Sequence, residues 1–194
     1  AEYSGSEVIH DDDSEQVETR FTCTDGRSIM LHCPAEAYAF VYSDEINMES
    51  VGVYLKEVLA THLPENVENI TLHLREEIIN SPFYHYTHGL KKHDGNCQRI
   101  AHGHRSRIDI ILDGKVSTES QQYWADRWAD IYIATREDEI AYSDRKLKGE
   151  VANAEDYYCF AYESSQGYFE LLIPKSDCEV IETDSTVECL AQYL

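Results

Sequence analysis

The chain has 194 residues, 42% of them hydrophobic and 27% charged, with a formal net charge of −21. That length can bury a core and that composition describes a folded chain, while so acidic a surface argues against a nucleic-acid partner, because neutralising phosphates needs a basic face. No run reaches the ~18 apolar residues of a membrane span and no charged-then-apolar leader opens the chain, so a cytoplasmic protein with no membrane partner is expected.

Residues 1–20 are acidic and serine-rich with little periodicity, and read as a flexible N-terminal segment. From Phe21 a strand leads to a turn at Asp25-Gly26 and a second strand through Ile29 and Leu31, ending near Pro34. Asn47 is placed to cap a helix on which Val51, Tyr54, Leu55, Val58 and Leu59 fall at helical spacing, with Pro64 beyond its end. Ile70, Leu72 and Leu74 alternate with polar residues, the pattern of a half-buried strand, and that strand ends in Arg75-Glu76. Residues 84–88 and 102–112 read as two strands, and 118–131 as a helix with Trp124, Trp128 and Ile131 on one face. A polar connector covers 141–157, followed by a hairpin of strands 158–162 and 168–173 around a turn at 164–167.

The second hairpin repeats the first. Gly26 matches Gly167, Pro34 matches Pro174, Glu49 matches Glu188, and Tyr54-Leu55 matches Tyr193-Leu194, so segment 21–55 recurs at 160–194. The expectation is the C-terminal part of one unit over 21–77, then the N-terminal and middle part of a second over 78–194, both belonging to a longer polypeptide.

Six cysteines occur without a C-x-x-C pair, which in a chain of this size points to reduced thiols. Most stand in apolar contexts and read as core fillers. Cys97 differs, following the turn Asp94-Gly95-Asn96 among charged residues.

Residues 85–104 hold five of the nine histidines. On a strand, positions i and i+2 share a face, so His102 and His104 point together, and an antiparallel partner strand brings His88 to the same face. Three histidines with an open position form a catalytic zinc arrangement, in which the metal polarises an oxygen or activates water. His85 alternates away from that face and His93 lies in the loop. An H-x-H pair also opens the metal motif of cupin barrels, but no glutamate follows His104 at a suitable distance and Asp109 is a poor substitute. Between 91 and 107 stand Lys91, Lys92, Arg99, Arg105 and Arg107 against Asp94 alone. They are either a site for an anionic ligand or partners for the acidic surface, and the sequence leaves both open. Cationic neighbours and a metal would favour a reactive thiolate at Cys97.

The series Tyr84-x-x-x-His88-x-Leu90, Cys97, His102-Gly103-His104 resembles the 6-pyruvoyl-tetrahydropterin synthase and 6-carboxytetrahydropterin synthase family. Thr186-Val187-Glu188 is similar to that family's Thr-x-Glu helix start, and Glu76 to its pterin-anchoring glutamate. Ser185-x-x-Glu188 also has the form of a capping box. The resemblance implies an α+β T-fold: an antiparallel sheet with helices packed on one face, in tandem units that join through sheet edges into a homo-oligomer. It implies Zn²⁺ on His88, His102 and His104, Cys97 moving protons, and Glu76, Thr186 and Glu188 binding an anionic pterin, 7,8-dihydroneopterin triphosphate. The family's Leu-Asp-His segment before Thr-x-Glu is missing here, and the alternative it raises is a non-catalytic zinc- or pterin-binding paralogue.

Overall fold

The computed structural model describes residues 3–10 and 15–194. Its strands are β1 (Tyr3–His10), β2 (Gln16–Cys23), β3 (Ser28–Pro34), β4 (Phe83–His88), β5 (His102–Arg107), β6 (Ile111–Leu112), β7 (Lys115–Val116), β8 (Ala129–Thr135), β9 (Glu139–Ile140), β10 (Tyr157–Ser164), β11 (Gly167–Pro174) and β12 (Cys178–Ile181). The α-helices are α1 (Met48–Ala60), α2 (Thr118–Arg127) and α3 (Val187–Tyr193). The class is α+β. One sheet, in the order β1-β2-β3-β11-β10-β9, is antiparallel throughout. In the second, β12-β8-β4-β5, the pair β4-β5 is antiparallel while β8 runs parallel to both β4 and β12.

Residues up to Ala37, together with Ser81–Leu194, form one compact unit, and Tyr38–Asn80 form another. Side-chain alternation sets the layers of the first unit. Tyr86 of β4, Ile133 of β8 and Ile181 of β12 point to one side of the second sheet, where they bury against Trp128 and Leu190 of α3. Tyr132 of β8 points to the other side and meets Phe160 of β10, with ring centroids 6.0 Å apart. The second sheet is thus covered by helices on one face and by the first sheet on the other.

On the remaining face of the first sheet, Met30, Cys159 and Leu172 pack with Leu147 from the connector between β9 and β10. Two buried carboxylates hold that connector by its backbone. Glu170 accepts from the N–H groups of Lys146 at 2.9 Å and Leu147 at 3.2 Å, and Glu18 accepts from those of Lys148 at 2.8 Å and Gly149 at 2.9 Å. A carboxylate without a cation is tolerated in such a place because several donors satisfy its lone pairs.

Both members of the sequence repeat begin with a hairpin and a short 3-10 turn and later reach a helix with a polar cap, but β12 stands between that turn and α3, whereas no strand stands between the turn and α1. Gly26 and Gly167, at the two hairpin turns, both have positive φ, 87° and 115°. The hairpins lie side by side, β3 pairing antiparallel with β11. In the unit Tyr38–Asn80, α1 begins as expected, with Asn47 Oδ1 accepting from the N–H groups of Glu49 and Ser50.

Other expectations are corrected. Residues 1–20, read as flexible, supply β1 and most of β2; strand pairing buries Glu18 and Thr19 there, Glu18 also accepting hydrogen bonds, which composition does not register. Residues 70–75 form no strand, because α1 is the one regular element in their unit and no strand edge is offered for pairing. The helix over 118–131 stops at Arg127. Asp130 then takes a left-handed φ of 55°, and Ile131-Tyr132-Ile133 pairs as β8, where β-branched and aromatic side chains pack well. The strand over 102–112 ends at Arg107 and resumes briefly as β6. All six cysteines are free, but Cys33 and Cys159 alone are fully buried. Among the described residues no helix is long and apolar enough to cross a membrane.

Candidate metal centre

Register decides which histidines meet. In the β4-β5 pair His88 stands opposite His102 and Tyr86 opposite His104, so all three imidazoles leave the sheet on its helix-covered face. Ring centroids are 4.4 Å apart for His88 and His102, 4.8 Å for His88 and His104, and 5.0 Å for His102 and His104. One ring nitrogen from each lies within 4.8 Å of the other two. Tetrahedral zinc holds nitrogens roughly 3.3 Å apart, so ligation would draw the three rings closer together.

The loop from β4 to β5 is pinned at several points. Gly89 has room for no side chain, since a Cβ there would strike Tyr162 Oη and come within 2.7 Å of Ile100 Cα. Leu90 N–H donates to the Cys97 carbonyl at 2.9 Å, and Tyr162 Oη donates to the Gln98 carbonyl at 2.8 Å. These contacts fix where β5 begins and therefore where His102 and His104 stand.

Two imidazoles are also fixed in orientation. His88, 2% exposed, has Nδ1 2.8 Å from Ser185 Oγ, itself fully buried. His102 Nδ1 lies 2.9 Å from the Arg99 carbonyl. A carbonyl only accepts, so His102 carries its proton on Nδ1 and presents the lone pair of Nε2. Among the described residues, Nε2 of both His88 and His102 is buried without a hydrogen-bond partner. Desolvation, then the imidazoles of His102 and His104, pushes the His88 pKa down to about 3. Desolvation likewise lowers that of His102, against the opposing pull of the Arg99 carbonyl. Both rings are therefore neutral at pH 7, the state that ligates a metal, with the second ring nitrogen tethered as metal-binding histidines require. The donor set fits a metal ion.

The other predicted residues divide. Thr186 is the N-cap of α3, its Oγ1 accepting from Cys189 N–H at 3.4 Å, and Glu188 is exposed in the first turn. The capping box proposed for Ser185 and Glu188 is therefore corrected: the cap is Thr186, and Ser185 turns inward to His88. Cys97 is half-buried in the 3-10 turn Gly95–Gln98, and its sulfur is not part of the histidine group. Glu76 lies exposed and outside regular structure in the unit Tyr38–Asn80. His85 pairs with Asp130 at 2.9 Å.

The basic cluster is largely neutralised. Lys91 pairs with Asp138 at 2.5 Å, Lys92 with Glu137 at 2.7 Å and Asp184 at 3.2 Å, and Arg107 with Asp109 at 2.7 Å. Arg105 lies over the Phe83 ring. Sequence reasoning missed Ser185, which it took for a cap, and Arg99, whose role here is played by a backbone carbonyl that no residue pattern reveals. Compared with known proteins, the chain matches no family model, no curated sequence and no solved structure.

Proposed function

We propose that this chain is a zinc-dependent pterin synthase of the 6-carboxytetrahydropterin type, acting on 7,8-dihydroneopterin triphosphate by triphosphate elimination with side-chain rearrangement or cleavage. The observation that carries the reading is the convergence of three imidazoles, two of them tethered at Nδ1 and buried without a partner at Nε2. His88, His102 and His104 would hold the ion. Zinc bound there would supply Lewis acidity toward the substrate's side-chain oxygens. Ser185 and the Arg99 carbonyl keep the two rings aimed, and Cys97 on the adjoining loop would carry a proton to or from the substrate. Thr186 and Glu188 open α3 directly after Ser185, which supports giving them substrate contacts. In this reading the two hairpin-and-helix segments are parts of T-fold units, and copies of the chain join through sheet edges to complete the site, Glu76 included.

The test is to incubate zinc-loaded protein with dihydroneopterin triphosphate and resolve any pterin product by chromatography. Product that disappears on His102→Ala supports the synthase. A chain that takes up zinc and yields no product is the second reading, a non-catalytic zinc- or pterin-binding module. That reading is favoured by the pairing of Lys91, Lys92 and Arg107 with acids and by the position of Cys97 Sγ outside the histidine group.

A further inference from the structure

Two cations of the 91–107 stretch find no carboxylate among the described residues: Arg105, exposed over the Phe83 ring, and Arg99, which is half-buried. Among the described residues Arg99 has no acidic partner, and its Nε is buried without a hydrogen bond. In a chain of charge −21, where the neighbouring Lys91, Lys92 and Arg107 all find carboxylates, a half-buried lone guanidinium calls for an explanation. Arg99 lines a pocket of about 450 Å³ together with Glu15, Glu36, Gln166 and Phe169. That volume suits a small molecule. Phe169 forms a buried apolar wall, while Glu15 and Glu36 are exposed. A pocket whose lining includes both a guanidinium and two carboxylates disfavours polyanions, which the carboxylates repel, and simple cations, which the guanidinium repels. It favours a ligand carrying both charges.

We propose that this pocket recognises a small zwitterion, an oxyanion joined to an amine, with the oxyanion on Arg99 and the amine toward Glu15 and Glu36, and that its occupancy is felt at the histidine cluster. The link is short: the backbone carbonyl of the same residue accepts a hydrogen bond from His102 Nδ1 at 2.9 Å, so a shift of Arg99 toward a ligand moves the tether of an imidazole. The coupling rests on the metal reading given above; the pocket itself does not.

Calorimetric titration of metal-free and cobalt-loaded protein with O-phosphoethanolamine, inorganic phosphate and ethanolamine separates these claims. Phosphoethanolamine should bind at least tenfold more tightly than either fragment, to both forms of the protein. Arg99→Gln should weaken it tenfold or more, and Glu36→Gln, an exposed change that spares the fold, should remove its advantage over inorganic phosphate. The visible absorption of the cobalt form should shift on adding phosphoethanolamine, and not in Arg99→Gln. Absent binding to either form, or undiminished affinity in Arg99→Gln, overturns the pocket. Undiminished preference in Glu36→Gln overturns the amine half. Binding with an unmoved cobalt spectrum overturns the coupling. Failure to take up cobalt overturns the metal reading, while the metal-free titration still decides the pocket.

Discussion

Ser185 Oγ and His88 Nδ1 lie 2.8 Å apart although 97 positions separate them in the chain. The serine ends the approach to α3 and the histidine ends β4, so a single hydrogen bond ties the helix-covered face of the sheet to the imidazole at its rim. Ser185→Ala should lower zinc affinity by about 10–100-fold and leave the fold intact, since the ligand remains but its orientation is lost. A competition titration against a chelator reads the change. Equal affinity in the variant would show that packing alone aims His88.

His104 is the exposed member of the three. His104→Ala should therefore abolish stoichiometric zinc binding while leaving the unfolding midpoint of the metal-free protein unchanged. Metal analysis and thermal unfolding on the same sample decide this, and retained zinc would remove His104 from the ligand set.

Acid should destabilise the metal-free protein through His88. Its folded pKa of about 3 lies below the unfolded value of about 6.5. Below pH 6.5 the unfolded chain takes up a proton that the folded chain refuses. The neutral ring's contribution is thus complete above pH 6.5 and is lost as the pH falls toward 3, at up to about 1.4 kcal/mol per pH unit. Denaturant titrations at pH 7.5, 6 and 5 should show a steeper decline for the parent than for His88→Gln. Parallel declines would mean that the ring is not desolvated.

Cys97→Ala should keep zinc content and stability, because its sulfur stands apart from the histidine group, and should abolish pterin product if the synthase reading holds. The pairing of zinc analysis with product chromatography makes the variant informative. Near-parental turnover would relieve Cys97 of any proton-transfer role.

Glu170 is fully buried and accepts hydrogen bonds from two backbone N–H groups and from Tyr168 Oη at 2.8 Å. Glu170→Ala should cost about 3 kcal/mol or more in urea unfolding, since it strands those donors, while Glu170→Gln keeps an acceptor and should cost less. Equal small losses would indicate that water enters to replace the carboxylate.

The alternation of His102, Gly103 and His104 by itself determined that two imidazoles share a face, because strand periodicity is local and needs no partner to be read. Asn47 and the turns at Gly26 and Gly167 were legible for the same reason: a cap or a positive φ is a demand of a few adjacent residues. What only the tertiary structure decided lies between distant segments. Ile70–Arg75 alternates like a strand yet finds no edge to pair with, whereas polar Gln16–Cys23 is a strand because β1 and β3 flank it. Lys91 and Lys92 read as free to meet an anion in the sequence, but the fold brings Glu137, Asp138 and Asp184 beside them, while Arg99 keeps a buried Nε without a hydrogen bond. The aim of His88 likewise depends on Ser185, a residue whose neighbours in sequence mark it only as the start of a helix. A hydrogen bond or ion pair across a hundred positions leaves no periodicity in the chain, since it arises from the fold that brings its two ends together.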